Sequence, residues 1–326
     1  MESCQINLGN EKIVYDEKFA NSFENKVKET IEKFDLVNKD DKLLLAVSGG
    51  KDSTVMVYIM KKLGYQFECV TVDAHIGCYT EENLRNIRQM CTAHNVKLHE
   101  IEFRKEVGAS LCFIRDTLQA NGHDLKSCTV CGVIRRYLLN RKSRELGATK
   151  LVLGHNMDDE AQGILMNLLK NKVHLCARSG PMNGVIKDSR FVARIKPLYL
   201  TSEKDVIKYS KMMNFPVHYG KCPCSTEGFR NSIKDFLNEL EDRIIDVKKN
   251  IVMTFLEKLP GLREKYKSND LPSLCEKCGE ASLDKLCRVC SLLDEFKAAL
   301  SEPQLQSSTE TSTFLEQHSL IQEVQI

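Results

Sequence analysis

Apolar residues along the first half of the chain follow two alternating patterns. Between residues 17 and 34 they fall at helical intervals among lysines and glutamates, which predicts an amphipathic helix. Residues 42–47 form an almost unbroken apolar run, which is typical of a buried strand. The same patterns predict further helices at residues 53–63, 81–94, 131–146 and 159–169, and further strands at 67–72, 97–103 and 150–153.

Helices and strands that alternate in this way form a parallel sheet with helices on both faces, so the sequence predicts an α/β fold with a doubly wound parallel sheet. Ligands of such sheets bind beyond the carboxyl ends of the strands. Ser48, Asp73 and Gly154 each follow a predicted strand, and we expect them to line one cleft. Two more helices are predicted at residues 203–213 and 228–257, and the catalytic core is expected to end near residue 255.

The composition limits the classes of function. Lysine and arginine total 47 against 45 for aspartate and glutamate, so the net charge of +2 predicts no overall attraction to nucleic acid, and any such surface must be a local patch. Basic residues cluster at 135–144 and 178–196, where either phosphate contacts or a solvated helix face would explain them. No run approaches the roughly 20 apolar residues of a membrane span, and we expect a cytoplasmic protein.

A glycine turn follows the first predicted strand. Small residues at this place let backbone N–H groups close on phosphate oxygens, and the next helix adds positive potential at its N-terminus. A turn that only connects strand and helix is the alternative. The loop lacks the ending of a Walker loop and resembles the PP-loop of enzymes that cleave ATP between its α and β phosphates. The predicted nucleotide contacts are Ala46, Ser48, Gly49, Gly50, Lys51, Asp52 and Ser53, together with Asp73.

A second motif follows the strand at 150–153. Gly154 and His155 are expected beside the nucleotide, and Asp158 and Asp159 stand at the start of the next helix. Such carboxylates hold Mg²⁺ against ATP phosphates, and they also stabilise a helix N-terminus. Metal binding and stabilisation of the helix N-terminus are compatible, so both roles are expected for these aspartates.

Fourteen cysteines are many for one chain, and several form C-x2-C pairs, which in a reducing compartment indicate metal or redox chemistry. Cys128 and Cys131 open a predicted helix, where the helix dipole and Arg135 and Arg136 are expected to lower the thiol pKa. This pair alone is compatible with a redox pair, half a zinc site or cluster ligation. A second set has the spacing of a structural, tetrahedral Zn²⁺ site: Cys275, Cys278, Cys287 and Cys290.

Four segments together resemble the tRNA 2-thiolation enzymes of the TtuA and NcsA type, with TtcA as a more distant relative. They are the glycine loop, GHNMDDEAQ, SCTVCGVIRRYLLN and CPCSTEGFRNSIKDFLNELE, and the resemblance covers roughly residues 15–292. It implies that Cys128 and Cys131 join Cys222 in ligating a 4Fe-4S cluster. The family usually has an aromatic residue where this chain has Cys224, which leaves Cys224 as an alternative third ligand. Arg135 matches a catalytic basic position.

The resemblance also implies a reaction and its partners. The C2 oxygen of a tRNA uridine attacks the α phosphate of ATP, and sulfur then displaces AMP, with Lys51, Mg²⁺ and Asp159 acting on the nucleotide. The acceptor is expected to be the wobble uridine, with the T-loop uridine as the alternative. The sulfur donor is a ubiquitin-like thiocarboxylate carrier, a persulfide or sulfide, and the assembly is a homodimer or a heteromer with a related subunit.

Other interpretations remain open from the sequence. Two of the cysteines could carry a persulfide without a cluster, and a different PP-loop ligase would need no cysteine triad. A non-catalytic, zinc-containing RNA-binding protein is a third possibility. The expected organisation is an N-terminal helical segment with a degenerate zinc finger (1–40), the PP-loop catalytic domain (41–255), a Cys4 zinc module (256–300) and a disordered tail (301–326).

Overall fold

The computed structural model describes residues 14–123, 125–184, 191–220, 222–225, 228–267 and 273–300. The expected N-terminal finger remnant at Cys4 and the expected tail at 301–326 lie outside these residues. The helices are Glu17–Lys33 (α1), Lys51–Lys62 (α2), Gly77–Ala93 (α3), Phe103–Val107 (α4), Leu111–Ala120 (α5), Ser127–Glu145 (α6), Met157–Leu169 (α7), Val173–Cys176 (α8), Glu203–Met212 (α9), Phe229–Glu241 (α10), Val247–Lys265 (α11) and Arg288–Leu300 (α12). The strands are Leu43–Ala46 (β1), Phe67–Asp73 (β2), Leu98–Glu102 (β3), Lys150–Leu153 (β4), Met182–Asn183 (β5), Ala193–Ile195 (β6), Ser273–Leu274 (β7) and Ala281–Ser282 (β8).

The main sheet has the order β3-β2-β1-β4-β6-β5, and its strands are parallel except for the short edge strand β5. The predicted doubly wound α/β fold is therefore confirmed. The chain leaves β1 towards β2 on one side and later returns to β4 on the other side. A crevice opens at the carboxyl ends of strands where the winding reverses in this way, and the loop after β1 lies there.

Each face of the sheet is covered by its own group of helices. Helices α1, α2, α3 and α9 cover one face, with Phe23, Ile59, Ile87 and Tyr209 buried there. Helices α5, α6 and α12 cover the other face. A third apolar cluster joins α7 to α8, α10 and α11 beside the sheet.

One prediction about the C-terminal helices is wrong, and the domain boundary expected near residue 255 falls within a helix. The single helix expected at 228–257 is two helices, because the chain turns between α10 and α11 and Asp246 has a left-handed backbone with φ of 60°. Residue 255 lies inside α11, where Phe255 and Leu259 pack in the same apolar cluster. The boundary expected at 255 therefore does not separate two packing units.

The pattern also missed several elements and two helix starts. Helices α4, α5, α8 and α12 and strands β5, β6, β7 and β8 had no prediction, and α3 and α6 each begin four residues early, at Gly77 instead of 81 and at Ser127 instead of 131. Within the described ranges, no helix combines the length and apolar character that a bilayer crossing requires.

Candidate nucleotide and cysteine site

The loop after β1 is folded around its own hydroxyl groups. The backbone N–H of Ser48 donates to Ser53 Oγ at 3.2 Å, and Ser53 Oγ donates to the carbonyl oxygen of Gly50 at 3.0 Å. Gly49 has φ of +77°, and a Cβ at this position would lie 2.0 Å from the carbonyl oxygen of Asn83 on α3. Only glycine fits there, so α3 fixes the loop that is predicted to bind phosphate.

Lys51 stands at the start of α2 between two carboxylates. Its Nζ lies 2.9 Å from Asp52 Oδ2 and 2.9 Å from Glu203 Oε1. Burial favours the neutral amine, but the two carboxylates outweigh burial and raise the pKa of Lys51. Lys51 is therefore a cation held at the loop. Glu203, which comes from α9, was not predicted as a site residue, and no local motif marks it.

The second motif is tied directly to the first. Asn156 caps α7 by accepting from the N–H of Asp159 at 3.1 Å, and its amide donates to Asp52 Oδ1 at 2.8 Å. A Cβ on Gly154 would lie 3.2 Å from the backbone nitrogen of Ser53. The two loops therefore pack as one unit, as the common position at the strand ends predicts. Ala46 lies beneath them in β1, paired with Val70 and Leu153.

The two adjacent aspartates have different surroundings. Asp158 is 5% exposed, and its oxygens accept from Lys248 Nζ at 2.6 Å and from the backbone N–H of Glu203 at 2.7 Å. Asp158 therefore faces α9 and α11 and not the cleft, and its predicted contact with the nucleotide has no support in this arrangement. Asp159 lies in the wall of a cavity next to the loop.

Asp73 and His155 lie where the strand ends predicted them. Asp73 lines the cavity that contains the cysteines, and its Oδ1 accepts from the backbone N–H of His75 at 2.8 Å. His155 has a face open to the second cavity, but protein atoms crowd the rest of its ring. This crowding, followed by the positive charge of Lys196, lowers the pKa of His155 to about 4. Its imidazole is therefore neutral near pH 7.

One cavity of about 300 Å³, which we call the cysteine cavity, is lined by Ser48 of the phosphate loop and by the predicted triad. Its wall includes Ser48 and Asp73 from the strand ends. It also includes all four candidate thiols: Cys128, Cys131, Cys222 and Cys224. Arg135 lies in the same wall and donates to the carbonyl oxygen of Val72 at 2.8 Å.

The expected lowering of the thiol pKa values is wrong for the protein without bound metal. Burial raises the pKa of Cys128 and Cys131, and the nearby Cys222 adds to this effect. Arg135 opposes the rise at Cys131 without overcoming it. The segment 222–225 lies against the first turn of α6, where it brings Cys222 close to both thiols.

The surroundings of the two alternative third ligands differ. Cys222 lies near both Cys128 and Cys131 and raises the pKa of each thiol. Cys224 instead lies near Cys112 and Arg115, and its backbone carbonyl accepts from Cys128 Sγ at 3.5 Å. This arrangement favours Cys222 as the thiol that accompanies the pair.

A second cavity, of about 350 Å³, adjoins the first, and we call it the basic cavity. Gly132 and Arg135 line both cavities and so form the wall between them. Five cations and two carboxylates surround it: Arg135, Arg136, Arg194, Lys196, Arg230, Asp159 and Glu160. Arg230 was not singled out from the sequence, although it lies in one of the segments that carried the family resemblance.

Most of the other predicted phosphate contacts are neutralised. Arg141 pairs with Glu106, Arg144 pairs with Glu280, and Lys142 pairs with Glu145 at 3.0 Å. The C-terminal half of α6 is therefore a salt-bridged helix face and not a free basic patch. Arg178 is exposed, and Arg190 lies outside the described residues.

The four C-terminal cysteines form a compact set. The ligand atoms of Cys275, Cys278, Cys287 and Cys290 all lie within 4.8 Å of one another, which fits four thiolates around a single metal ion. Gly279, in the turn between β7 and β8, has φ of +69°. Residues 273–300 contact the catalytic part through α12, and Glu280 also accepts from Asn140 of α6 at 3.0 Å.

A family model described as the PP-loop domain matches residues 19–240 of this chain. The chain belongs to the PP-loop family. This membership confirms the expectation that the loop after β1 is a PP-loop, and the matched region ends at the last turn of α10.

Named relatives of this PP-loop protein are tRNA-modifying enzymes. The chain is 32% identical over 254 residues to the tRNA-5-methyluridine(54) 2-sulfurtransferase of Pyrococcus horikoshii, covering 77% of this chain and 79% of the relative. It is 31% identical over 239 residues to Cytoplasmic tRNA 2-thiolation protein 1 of Yarrowia lipolytica, covering 70% and 64%.

A solved structure extends the similarity to the tertiary level. It is the U34-tRNA thiolase NcsA from Methanococcus maripaludis with its 4Fe-4S cluster, which matches the PP-loop protein with a TM-score of 0.69 and 28% identity. The match covers 84% of this chain and 87% of that chain. The predicted resemblance to this group of enzymes is thereby confirmed.

Proposed function

We propose that this PP-loop protein is an ATP-dependent sulfurtransferase that converts a tRNA uridine into 2-thiouridine. The relatives that share most of its length carry names for this activity. The observation that carries the proposal is that one cavity is lined both by Ser48 of the phosphate loop and by four cysteine thiols. A PP-loop enzyme that only activates its substrate with ATP would not need thiols at this place. A metal cluster with a purely structural role would not need to lie beside the phosphate loop.

The residues divide the reaction into two steps. The C2 oxygen of uridine attacks the α phosphorus of ATP, and the bond to pyrophosphate breaks while Lys51 and the PP-loop amides stabilise the departing charge. A sulfur nucleophile then bonds to C2, and the C2–O bond breaks so that the oxygen leaves on AMP. Arg135 lies in the wall between the two cavities, and we assign to it the role of acting on the activated base.

The donor sets fit the metals of this reaction. Cys128, Cys131 and Cys222 are free thiols, and among described residues only the C-terminal four form a set within 4.8 Å, so the triad is spread more widely than ligands of one ion. Wider spacing suits thiolates that bind separate irons of a 4Fe-4S cluster. Three such ligands leave one iron open for the sulfur to be transferred. Asp52 and Asp159 would hold Mg²⁺, and the C-terminal four would hold Zn²⁺.

The partners and the place of action belong to the same proposal. The macromolecular substrate is tRNA, in agreement with the names of the relatives. The sulfur comes from a ubiquitin-like thiocarboxylate carrier, a persulfide or sulfide, and the assembly is a homodimer or a heteromer with a related subunit. We place the protein in the cytoplasm, as the name of the Yarrowia relative states for that protein.

The acceptor within the tRNA is either of two uridines. We propose the wobble uridine, because the structural match to a U34 thiolase covers 84% of the chain. The T-loop uridine is the second candidate, because a 5-methyluridine(54) 2-sulfurtransferase is 32% identical over 254 residues. Mass spectrometry of the thiolated tRNA product identifies the acceptor directly.

The test is anaerobic purification of wild type and of Cys128→Ala, Cys131→Ala, Cys222→Ala and Cys224→Ala, with iron, zinc and 2-thiouridine measured for each. About four irons per chain are expected in wild type, since that is the content of the proposed cluster. Iron and activity should be lost in the first three variants while zinc stays, and Cys224→Ala should keep both. Active protein without iron would indicate persulfide chemistry instead. Protein that neither binds ATP nor thiolates tRNA would overturn the proposal in favour of an RNA-binding scaffold.

A further inference from the structure

The basic cavity contains two guanidinium groups that no described residue neutralises. Arg136 comes from α6 and Arg194 from β6, and both line the cavity. Lys196 in the same wall is paired with Glu160 at 2.7 Å. Within the described part of the chain, Arg136 and Arg194 have neither an ion-pair partner nor a hydrogen-bond acceptor.

These two arginines are unfavourable for the folded protein by themselves. Arg194 is half-buried and Arg136 is exposed on one side. The partial loss of water lowers the pKa of both, and the positive charge of Arg136 adds to the effect at Arg194. Cations that lose water without gaining a counter-ion destabilise the fold, so a bound anion is what would compensate them. Gly132 packs beside the guanidinium of Arg136, where a Cβ would lie at van der Waals distance, 3.4 Å, from Nη1.

The rest of the cavity fits the body of a nucleotide. Its volume of about 350 Å³ is within the range of small-molecule sites, roughly 300–1,000 Å³. The buried amide oxygen of Asn183 in its wall has no hydrogen-bond partner among the residues that the structure describes, which is typical of a site completed by a polar ligand. Apolar side chains provide another part of the surface: Leu139, Leu151, Leu153 and Ile164.

The position of the cavity relates it to the reaction. Arg135 and Gly132 separate it from the cysteine cavity, and Asp159, which is fixed by the cap that also contacts Asp52, lies in its wall. The basic cavity therefore opens beside the phosphate loop on the β4 side of the crevice. The phosphates of ATP have their own binding loop, whose Ser48 lines the other cavity. Arg136 and Arg194 in the basic cavity are therefore a second phosphate-binding group, which is available to the tRNA substrate.

We propose that the basic cavity receives the target nucleotide of the tRNA, turned out of its stack, and that Arg136 and Arg194 bind the phosphate that flanks it. This inference rests on the proposed function and adds a specific binding site for its RNA substrate. A base that undergoes chemistry must leave the stack to reach an enclosed site. Arginine suits the phosphate, because its planar fork donates two parallel hydrogen bonds to phosphate oxygens.

Binding of unmodified tRNA to the full chain tests the arginines without requiring turnover. The variants are Arg136→Gln and Arg194→Gln, with Arg243→Gln, an exposed residue paired with Glu239, as a control for net charge. Each cavity variant should bind tRNA about tenfold more weakly and reduce the slope of log affinity against log salt by about one. The control should change neither. Wild-type affinity and slope in both cavity variants would overturn the inference.

Stability separates a ligand-binding role from a structural one. Removing one of two neighbouring like charges should leave the melting temperature of Arg136→Gln and Arg194→Gln unchanged or raised. A marked fall of the melting temperature in both variants, with tRNA binding lost in proportion to unfolded protein, would instead assign the arginines to the fold and overturn the inference.

A chemically altered tRNA identifies the source of the phosphate. A neutral methylphosphonate beside the uridine that the wild type thiolates should weaken wild-type binding about as much as Arg194→Gln does, and should weaken that variant no further. Inhibition by pyrophosphate should be the same in wild type and variant. Variants that lose pyrophosphate inhibition but keep tRNA binding would assign the site to ATP. A wild type that thiolates no tRNA would contradict the proposed function, whereas an active wild type with unaffected variants would contradict this inference alone.

Discussion

Two glycines both have a left-handed backbone, but only one of them also lacks space for a side chain. Gly49 has φ of +77° and its added Cβ would meet Asn83 at 2.0 Å, whereas Gly64 has φ of +84° and open space around it. Gly64→Ala should therefore destabilise the fold by about 1–2 kcal/mol, the usual strain of a left-handed residue, and leave ATP binding intact. Gly49→Ala must also displace the loop or α3.

We therefore expect Gly49→Ala to weaken ATP binding more than tenfold, because the loop amides no longer converge on the phosphates. Titration calorimetry with ATP and thermal unfolding of both variants check this expectation. Equal ATP affinity in the two variants would show that the contact with α3 does not position the loop.

Substitutions of the two adjacent aspartates should have different effects, because Asp158 supports the fold and Asp159 lies beside the proposed nucleotide site. Asp158→Asn breaks a buried pair in which the side chains of Asp158 and Lys248 are each 7% exposed, and this should lower the free energy of unfolding by about 3–5 kcal/mol. Asp159→Asn should leave stability nearly unchanged and reduce ATP-dependent turnover on the order of 10²-fold, because it removes a charge beside the nucleotide. Urea unfolding and AMP release measure the two effects, and the reverse outcome would exchange the roles assigned here.

At the scale of elements, α11 joins the regions on either side of the boundary that the sequence predicted. The helix runs from Val247 to Lys265, and Phe255 and Leu259 pack together with residues of α7. No glycine or proline marks the turn before it at 242–246, and so the pattern alone predicted one continuous helix. The exposed Ile244 and Ile245 in that turn made the apolar pattern look helical.

A chain that ends at residue 255 should be less stable than one that ends at 267. The shorter chain loses Leu259, which is 5% exposed, and deletion of such a buried side chain alone lowers stability by about 2–5 kcal/mol. Both chains lack α12, so the comparison isolates the second half of α11. Circular dichroism melting of the two proteins measures the difference, and identical melting temperatures would refute the packing role.

At the scale of the whole molecule, the cysteine-rich module is not an independent unit. Val289, Leu292 and Phe296 of α12 are buried in the same apolar cluster as Val130 and Ile134 of α6, the helix that also carries the first two triad cysteines. A metal ion held by the four cysteines of the module would therefore also support the wall of the cysteine cavity.

Loss of zinc should consequently destabilise the entire chain. Cys287→Ser should reduce zinc content and lower a single unfolding transition, since each large apolar side chain uncovered weakens the fold by roughly 1.5–3 kcal/mol. Cys78→Ser, which alters an exposed cysteine, is the matched control and should keep the wild-type transition. A separate early transition, with the main one unchanged, would mean that the module unfolds alone.

The sequence by itself determined the alternating elements, the PP-loop, the C-x2-C pair at Cys128 and Cys131, and the spacing of the Cys4 set. Each depends on local periodicity or on short spacings whose chemistry needs no distant contact. Only the tertiary structure decided which aspartate faces the cleft, because Asp158 meets Lys248 from 90 residues away. The pairing of Lys51 with Glu203 and the convergence of Arg136 and Arg194 on one cavity were likewise decided there, because side chains from separate elements meet only when those elements pack.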